Sequence, residues 1–343
     1  EAPTNSLTKT SHADERMLQG RFPRLRWSER QTADMMGHDD QAATQRVRRS
    51  AGEDVVRVLE QDLSQTDLTT LLMSVATSRA ARVAPGRILT RSARDRFTRP
   101  AASNPRVVTT LEARLWQLLP SHFEGLELSP LAPLGISSAL AGVAQSRVVS
   151  TARGSEVVSD ATNVLALEAA RGRRAGSDAV HLAASHRVLR AQYFPDSTAS
   201  AHFRLFNLVS STHDRGSGTA QAALLLDHLR AWTLILNDVL GSVPWHVGFT
   251  VFRRGAVSER LIDTVLPALD GWNVRTRDLP TRTGADYYTD VAFKIHVGDP
   301  GEEVEVGDGG LTDWTAQLLN DAKERTLVSC IATERLAALV PSF

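Results

Sequence analysis

The hydrophobic and polar positions divide the chain into stretches of different character. Residues 1–50 are polar with scattered apolar positions, which indicates a polar tail or loosely packed helices. From 51 to about 82, apolar residues recur at helical intervals and predict two short amphipathic helices. Beyond 105, strand-like runs alternate with helical runs. The predicted strands are 126–129, 147–151, 156–159, 202–210, 246–252, 291–296 and 326–331, and the predicted helices are 109–119, 163–171, 220–239 and 258–269.

Strands outnumber helices in this last stretch, and few neighbouring strands are joined by the single crossover helix that a parallel sheet requires. We therefore predict an α+β fold, a mostly antiparallel sheet flanked by helices, with a helical N-terminal extension. The predicted domains are the polar segment 1–50, the helical extension 51–105 and a core over 106–343.

Composition narrows the classes of function. The 39 basic residues balance the 39 acidic ones, which excludes the broad basic field of a protein that holds long nucleic acid. The single cysteine, Cys330, excludes an internal disulfide and a cysteine-rich zinc site, so we expect a reducing cytoplasm. No stretch approaches the roughly 20 apolar residues of a membrane span, so no membrane association is expected.

Three blocks contain candidate binding residues. In the first, 184–192 and 202–210, Arg190 ends one strand and Phe206 lies in the other, a combination that suits a phosphate and a base. Taken alone, an ordinary hairpin with a core Phe is favoured. The second, 283–295, holds Tyr287 and Tyr288, which point to opposite faces if they lie on a strand. The third block comprises 308–314 and 329–336. Its adjacent glycines allow the backbone to approach a ligand closely, and an arginine at the start of its helix can contact a polyphosphate.

Taken in order, the blocks resemble the catalytic core of class II aminoacyl-tRNA synthetases of the histidyl type. Pro130 resembles the motif 1 proline, 156–162 the acidic-x-Thr segment, and 189–192 with Phe206 motif 2. Residues 284–293 resemble the histidine-binding motif, and 309–313 and 333–336 resemble the glycine-rich strand and motif 3. The resemblance runs from about residue 108 to the C-terminus.

The resemblance implies roles for individual residues. The implied catalytic residues are Arg190, which would contact the α-phosphate of ATP, and Arg335, which would contact the γ-phosphate side. ATP and Mg²⁺ are the implied cofactors. The implied ATP-binding residues are Arg190, Arg204, Phe206, Glu334 and Arg335, with Phe206 stacking on adenine. The implied amino-acid-binding residues are Asp160, Thr162, Tyr287, Tyr288, Gly309 and Gly310.

The sequence also departs from the family pattern. Gln192 replaces a glutamate of motif 2, and Thr283 replaces an arginine, which Arg282 would present on the wrong face. Leu208 replaces a glutamine that contacts histidine, which argues against histidine as the substrate. A milder change is Ala332 in place of glycine. The chain ends soon after motif 3, so we expect no anticodon-binding domain and no tRNA partner.

Two functions remain open. The favoured one is ATP-dependent activation of an amino acid or related carboxylate as an acyl-adenylate, with transfer to a non-tRNA acceptor such as a carrier protein or a metabolite amine. The alternative is a non-catalytic paralogue that senses a ligand, like the regulatory subunit of ATP phosphoribosyltransferase. The motif 1 helix and strand form the family's dimer interface, so a homodimer is expected.

Weaker signals predict no further site. The glycine-rich run 214–219 lacks the ending of a phosphate-binding loop and indicates a surface loop. His181 and His186 are too far apart for one helical face and lack nearby acidic partners, so no metal site is expected there. The arginine-rich run 87–99 is interpreted as a solvated helical face, with RNA or acidic ligands as the alternative.

Overall fold

A computed structural model describes residues 42–191, 200–272, 274–280, 287–299 and 301–340. Its contacts divide the chain into two units, 1–56 and 57–343. The described part of the first unit is helix α1 (42–51) and the start of the short helix α2 (Val55–Arg57). The second unit opens with a π-helical turn (Val58–Asp62), α3 (Gln65–Ala80) and α4 (Pro85–Ser92), none of whose residues is buried.

The remainder of the second unit is a strand-rich core. Its helices are α5 (Pro105–Leu118), α6 (Ile136–Ala141), α7 (Ala161–Arg174), α8 (Thr219–Leu240), α9 (Ala256–Arg260), α10 (Leu266–Gly271), α11 (Trp314–Leu319) and α12 (Thr333–Ala337), with a 3₁₀ turn at Gln145–Arg147 and a π turn at Leu261–Val265. Its strands are β1 (Glu124–Gly125), β2 (Leu131–Pro133), β3 (Ser155–Val157), β4 (Ala179–Leu189), β5 (His202–His213), β6 (Trp245–Val251), β7 (Arg275–Asp278), β8 (Val291–Val297), β9 (Val304–Thr312) and β10 (Glu324–Ala332).

Eight of these strands form one sheet in the order β1-β4-β5-β10-β9-β8-β6-β7, and β2 pairs with β3 separately. The outermost pairs, β1/β4 and β6/β7, are parallel, and the inner pairs are antiparallel. In this register Cys330 of β10 lies opposite Asn207 of β5 and Asp308 of β9. The α+β prediction, a mostly antiparallel sheet flanked by helices, is confirmed.

Each face of the sheet packs against its own helices because successive strand residues point to opposite sides. We call the side covered by α7 and α11 the front face; its core includes Leu182, Ala184, Leu205, Val209 and Val328. We call the side covered by α5, α8 and α12 the rear face; its core includes Ala183, Phe206, Leu208, Leu327 and Ile331. This alternation decides which candidate side chains can meet.

Some predicted elements are wrong in detail. Residues 147–151 form no strand: the chain there has the end of the 3₁₀ turn and a single bridge from Ser150 to Glu156. The strand expected at 126–129 is also absent, because the paired residues are Glu124–Gly125 and Leu131–Pro133 on either side of it. The helix expected at 258–269 is divided by the π turn. No helix among the described residues is both long and apolar enough to cross a membrane.

Candidate functional site

The N-terminus of α7 carries the first predicted ligand-binding residues. Asp160 is the N-cap, and its carboxylate accepts hydrogen bonds from the Thr162 backbone N–H at 3.0 Å and from the Thr162 hydroxyl at 2.7 Å. The helix dipole favours a negative charge at this position. Asp160 is therefore fixed in orientation at the start of the helix, and 28% of its side chain is still exposed.

Arg190, just beyond the end of β4, reaches the same place. Its Nη2 lies 3.4 Å from Asp160 Oδ2, and its Nε donates to the Ser159 carbonyl at 3.1 Å. The guanidinium also lies over the ring of Phe203, 5.1 Å from its centroid. The resulting ion pair is open to solvent and loosely made, so each partner can exchange the other for a charged ligand.

The floor of the site is formed by the central strands. Cys330 Sγ lies 3.4 Å from Asp308 Oδ1, and the Tyr288 hydroxyl donates to Asp308 Oδ2 at 3.4 Å. Burial raises the pKa of the Cys330 thiol well above its usual value, and the carboxylates of Asp308 and Asp160 raise it further. Cys330 is therefore a neutral thiol rather than a nucleophile.

The tyrosine pair forms a wall beside this floor. A Cβ at Gly310 would lie 2.5 Å from Tyr288 Cδ1, so the absent side chain makes room for the Tyr288 ring against the sheet. The Tyr287 ring lies 4.5 Å from that of Tyr288 and 5.4 Å from that of Trp314. We call Asp160, Thr162, Arg190, Tyr287, Tyr288, Asp308 and Cys330 the front cluster.

Comparison with known proteins identifies the fold. No protein-family model and no curated protein matches the chain. Among solved structures, the ATP phosphoribosyltransferase regulatory subunit/histidyl-tRNA synthetase of Bacillus halodurans matches with a TM-score of 0.55 at 11% identity, covering 72% of this chain and 84% of that one. Histidyl-tRNA synthetase of Nostoc sp. PCC 7120 gives 0.54 at 14% identity, covering 71% and 74%. A histidine–tRNA ligase subunit of Alicyclobacillus acidocaldarius gives 0.52 at 14% identity, covering 70% and 96%.

The fold is that of a class II aminoacyl-tRNA synthetase core. Within this synthetase-like core, the predicted amino-acid-binding residues Asp160, Thr162, Tyr287 and Tyr288 lie on the front face with Arg190. Of the two glycines assigned to the same group, Gly310 faces Tyr288. A Cβ at Gly309 would instead lie 2.5 Å from Phe293 Cζ, on the rear face. Gly309 therefore serves packing of the rear core.

The predicted stacking of Phe206 on adenine is corrected by the structure. Phe206 is fully buried on the rear face, with its ring centroid 4.7 Å from that of Trp116 and 6.2 Å from that of Trp232. No surface of this ring is open to a nucleotide. The aromatic ring beside Arg190 is Phe203, three positions earlier and on the opposite face of the same strand. Leu208 is likewise buried at the rear, so the argument it provided against histidine no longer applies.

Two other residues predicted to bind ATP are engaged within the protein. Arg204 Nη1 lies 3.3 Å from Glu112 Oε2, a residue of the rear helix α5. Glu334 accepts from Arg187 Nη2 at 2.6 Å and from the Ser103 hydroxyl at 2.9 Å. The structure therefore does not bring Arg204 and Glu334 together with Arg190.

Arg335 lies beyond the end of β10 and is exposed. Its Nη1 donates to the Glu305 carbonyl at 2.5 Å, and the Glu305 carboxylate is paired with Lys294 Nζ at 2.6 Å. The predicted contact of Arg335 with the γ-phosphate stays a prediction. Gln192, Arg282, Thr283 and the stretch 284–286 lie outside the described residues.

The described part of the front face has no ready-made magnesium cage. Asp160 is already bonded to Thr162 and Arg190, and Asp308 to Tyr288 and Cys330. Groups of three metal-type side chains occur in the described residues only elsewhere, at His122/His181/Asp227 and His213/Asp321/Glu324. If Mg²⁺ enters the front cluster, it must be held largely by the phosphates of its nucleotide, which is its usual behaviour in proteins.

Sequence reasoning missed Asp308 and Cys330 of the front cluster, and Phe203, whose ring lies against Arg190. Strand alternation contained the signal for Asp308 and Cys330, since Asp308 and Gly310 share a face and Cys330 lies opposite Asp308 in the register. Phe203 required the register of the β4/β5 hairpin, which pairs Leu189 with His202 and so brings Phe203 beside Arg190. A one-residue change of register would have reversed the faces.

Proposed function

We propose that the front cluster binds a small zwitterion, an amino acid or a close relative, and that the chain is a synthetase paralogue that senses this ligand. The observation that carries the proposal is the loose Asp160–Arg190 pair, 3.4 Å apart at the N-terminus of α7. A carboxylate and a guanidinium side by side match the ammonium and the carboxylate of an amino acid. Each group gains a better partner when the ligand enters between them.

The surroundings of the pair favour an aromatic or heteroaromatic side chain on the ligand. Tyr287 offers a half-buried ring face, backed by the buried Trp314 ring, and the Asp308 carboxylate lies beside the neutral Cys330 thiol. Histidine fits this chemistry because its ring can stack while an N–H donates to Asp308. Histidine is therefore the first ligand to test, with phenylalanine and glutamine as comparisons.

A ligand sensor is favoured over an enzyme because the nucleotide half of the expected site is divided. Arg204, Phe206 and Glu334 are engaged or buried at the rear, as described above. The alternative retains one supporting observation: Arg190 and Phe203 lie together on the front face, 5.1 Å apart, as a phosphate-binding and a base-stacking residue would. In this alternative, the chain would activate an amino acid or carboxylate with ATP and Mg²⁺ and pass the acyl group to a carrier protein or metabolite amine.

Calorimetric titration of the full chain with histidine and the other amino acids, with and without Mg-ATP, tests the proposal, and ATP–pyrophosphate exchange distinguishes the alternatives. We expect binding of at least one amino acid without exchange. Asp160→Asn should weaken that binding while preserving the cap of α7, because asparagine also caps helices well. Exchange above background would favour adenylation. If neither an amino acid nor a related carboxylate binds, both alternatives fail.

Assembly is also open to measurement. We propose a homodimer, as the resemblance implies, and light scattering of the purified chain should give about twice the monomer mass. A monomer at all concentrations would contradict this part of the proposal.

A further inference from the structure

A second cluster of ligand-type side chains lies on the rear face of the sheet. His122 follows α5, His181 is in β4 and Asp227 is in α8. His122 Nε2 lies 2.9 Å from Asp227 Oδ2, and His181 Nδ1 lies 3.2 Å from the same oxygen. One ligand atom from each residue falls within 4.8 Å of the other two.

These separations suit a shared metal ion. Nitrogen and oxygen ligands bind zinc at about 2.0–2.2 Å in tetrahedral geometry, which places neighbouring ligand atoms roughly 3.4 Å apart. The two measured distances are a few tenths of an ångström shorter, as expected where the side chains now hydrogen-bond to one another. His122 has 44% of its side chain exposed, so it can make the small movement required.

The cluster is supported from behind by buried polar groups. The Ser210 hydroxyl lies 2.9 Å from His181 Nδ1 and 2.8 Å from His228 Nε2. His228 Nδ1 in turn lies 2.8 Å from the Ser329 hydroxyl. Because Ser210 and Asp227 both contact His181 Nδ1, this nitrogen must release the Ser210 hydroxyl when it binds a metal, and Ser210 then keeps its bond to His228. Hydrogen bonds within the cluster would satisfy these side chains without a metal. The cavity in front of the cluster is the second observation that points to a ligand.

That space is an open cavity of about 590 Å³, and all three side chains line it. Arg215 and Arg230 line it as well, with the Arg230 guanidinium 6.0 Å from the Trp272 ring centroid. Two histidines and one carboxylate that face a cavity leave coordination positions open, which distinguishes exchangeable or reactive metal sites from closed structural ones. The arginines add positive charge where an anionic ligand of the metal would lie.

We propose that His122, His181 and Asp227 bind a divalent transition-metal ion of the zinc class, with an open coordination position facing this cavity. Imidazole ligands select zinc, cobalt, iron or nickel over magnesium and calcium. The site lies on the rear face and shares no residue with the front cluster. The metal site can therefore be tested, and rejected, independently of the proposed amino-acid sensing.

The test is zinc titration of the chelator-treated full chain by calorimetry and equilibrium dialysis, with Co²⁺ absorption as a report on coordination. We expect one ion per chain and no competition from Mg²⁺. Asp227→Asn and His122→Gln should each weaken zinc binding at least about tenfold. His122→Gln covers the case in which Asp227→Asn fails to fold, because His122 is exposed.

The matched control is Asp321→Asn, in the second group of His213, Asp321 and Glu324. Glu324 of that group is already held by Arg173, so we expect this variant to bind zinc like the unmodified chain. Stoichiometry well below one, unchanged affinity in His122→Gln, or loss of binding in Asp321→Asn would each overturn the proposal.

Discussion

The adjacent glycines of β9 allow the two faces of the sheet to be perturbed separately. A Cβ at Gly310 would lie 2.5 and 2.7 Å from Tyr288 ring carbons and 2.8 Å from Ala292 Cβ, against about 3.5–4.0 Å for ordinary carbon contacts. The Tyr288 ring must therefore move by roughly 1 Å in Gly310→Ala. That movement lifts its hydroxyl away from Asp308, 3.4 Å distant, and opens the floor of the front cluster.

The free-energy cost follows from overpacking. An extra methyl group in a packed core costs about 1–3 kcal/mol, and replacing glycine returns about 0.4–1 kcal/mol of unfolded-state entropy. With the middle of each range, about 2 and about 0.7 kcal/mol, the net loss of unfolding free energy in Gly310→Ala should be about 1–2 kcal/mol. Gly309→Ala meets Phe293 Cζ at 2.5 Å and the Val328 carbonyl at 2.7 Å, so it should cost at least as much. Only Gly310→Ala should disturb the front face.

The rate at which a thiol reagent modifies Cys330 measures whether a variant has opened the front face. Cys330 is the single cysteine and lies beside Asp308 on the front face. We expect slow modification in the unmodified chain and in Gly309→Ala, and faster modification in Gly310→Ala, under conditions where all three are folded. Urea unfolding supplies the free energies. Equal rates in the two variants, or no loss of stability in Gly310→Ala, would refute the assignment of faces.

Three further predictions concern single side chains. Phe206→Ala should cost about 3–5 kcal/mol of unfolding free energy, whereas Phe203→Ala should cost less and weaken ligand binding; denaturation and calorimetry compare them. Arg173→Ala should destabilise by at most about 3–5 kcal/mol, measured by urea unfolding, because it removes the buried cationic partner of Glu324 and leaves this carboxylate with Ser211 and His213. Burial first, and neighbouring histidine and cationic side chains second, lower the pKa of His296 to about 4. As pH falls, His296 is protonated in the unfolded chain before it is protonated in the folded one. Stability is therefore lost between about pH 6.5 and 4, by at most about 3 kcal/mol. His296→Phe should flatten that part of the curve of unfolding free energy against pH.

The sequence was sufficient to predict the fold because its signals are periodic and its blocks occur in order. Alternating runs at 202–210 and 326–331 became β5 and β10, and the helical run at 163–171 lies within α7. Strand 147–151 failed because this segment pairs with β3 only through the isolated bridge from Ser150 to Glu156 and its two flanking backbone hydrogen bonds, which make no extended ladder.

The candidate site was only partly predictable, since it depends on which face each strand residue takes. Asp160 was found through the family resemblance, and Arg190 was found also because it ends a predicted strand, where position along the chain nearly fixes position in space. Phe206 was misassigned because its face follows from the hairpin register, which pairs Ser185 with Phe206. No metal was expected at His181, because its acidic neighbour Asp227 and the third residue, His122, lie on other elements, 46 and 59 positions away in the sequence.

The most direct test of the account compares two arginines that the sequence assigned to one ATP site. Arg190 is paired with Asp160 at the front, and Arg204 with Glu112 at the rear. Calorimetric titration with the amino acid that the unmodified chain binds should show roughly 10- to 100-fold weaker binding in Arg190→Ala, the loss expected when a charge-assisted contact is removed. Arg204→Ala should bind like the unmodified chain. Unchanged binding in Arg190→Ala, or an equal loss in both variants, would contradict the proposed front-face site.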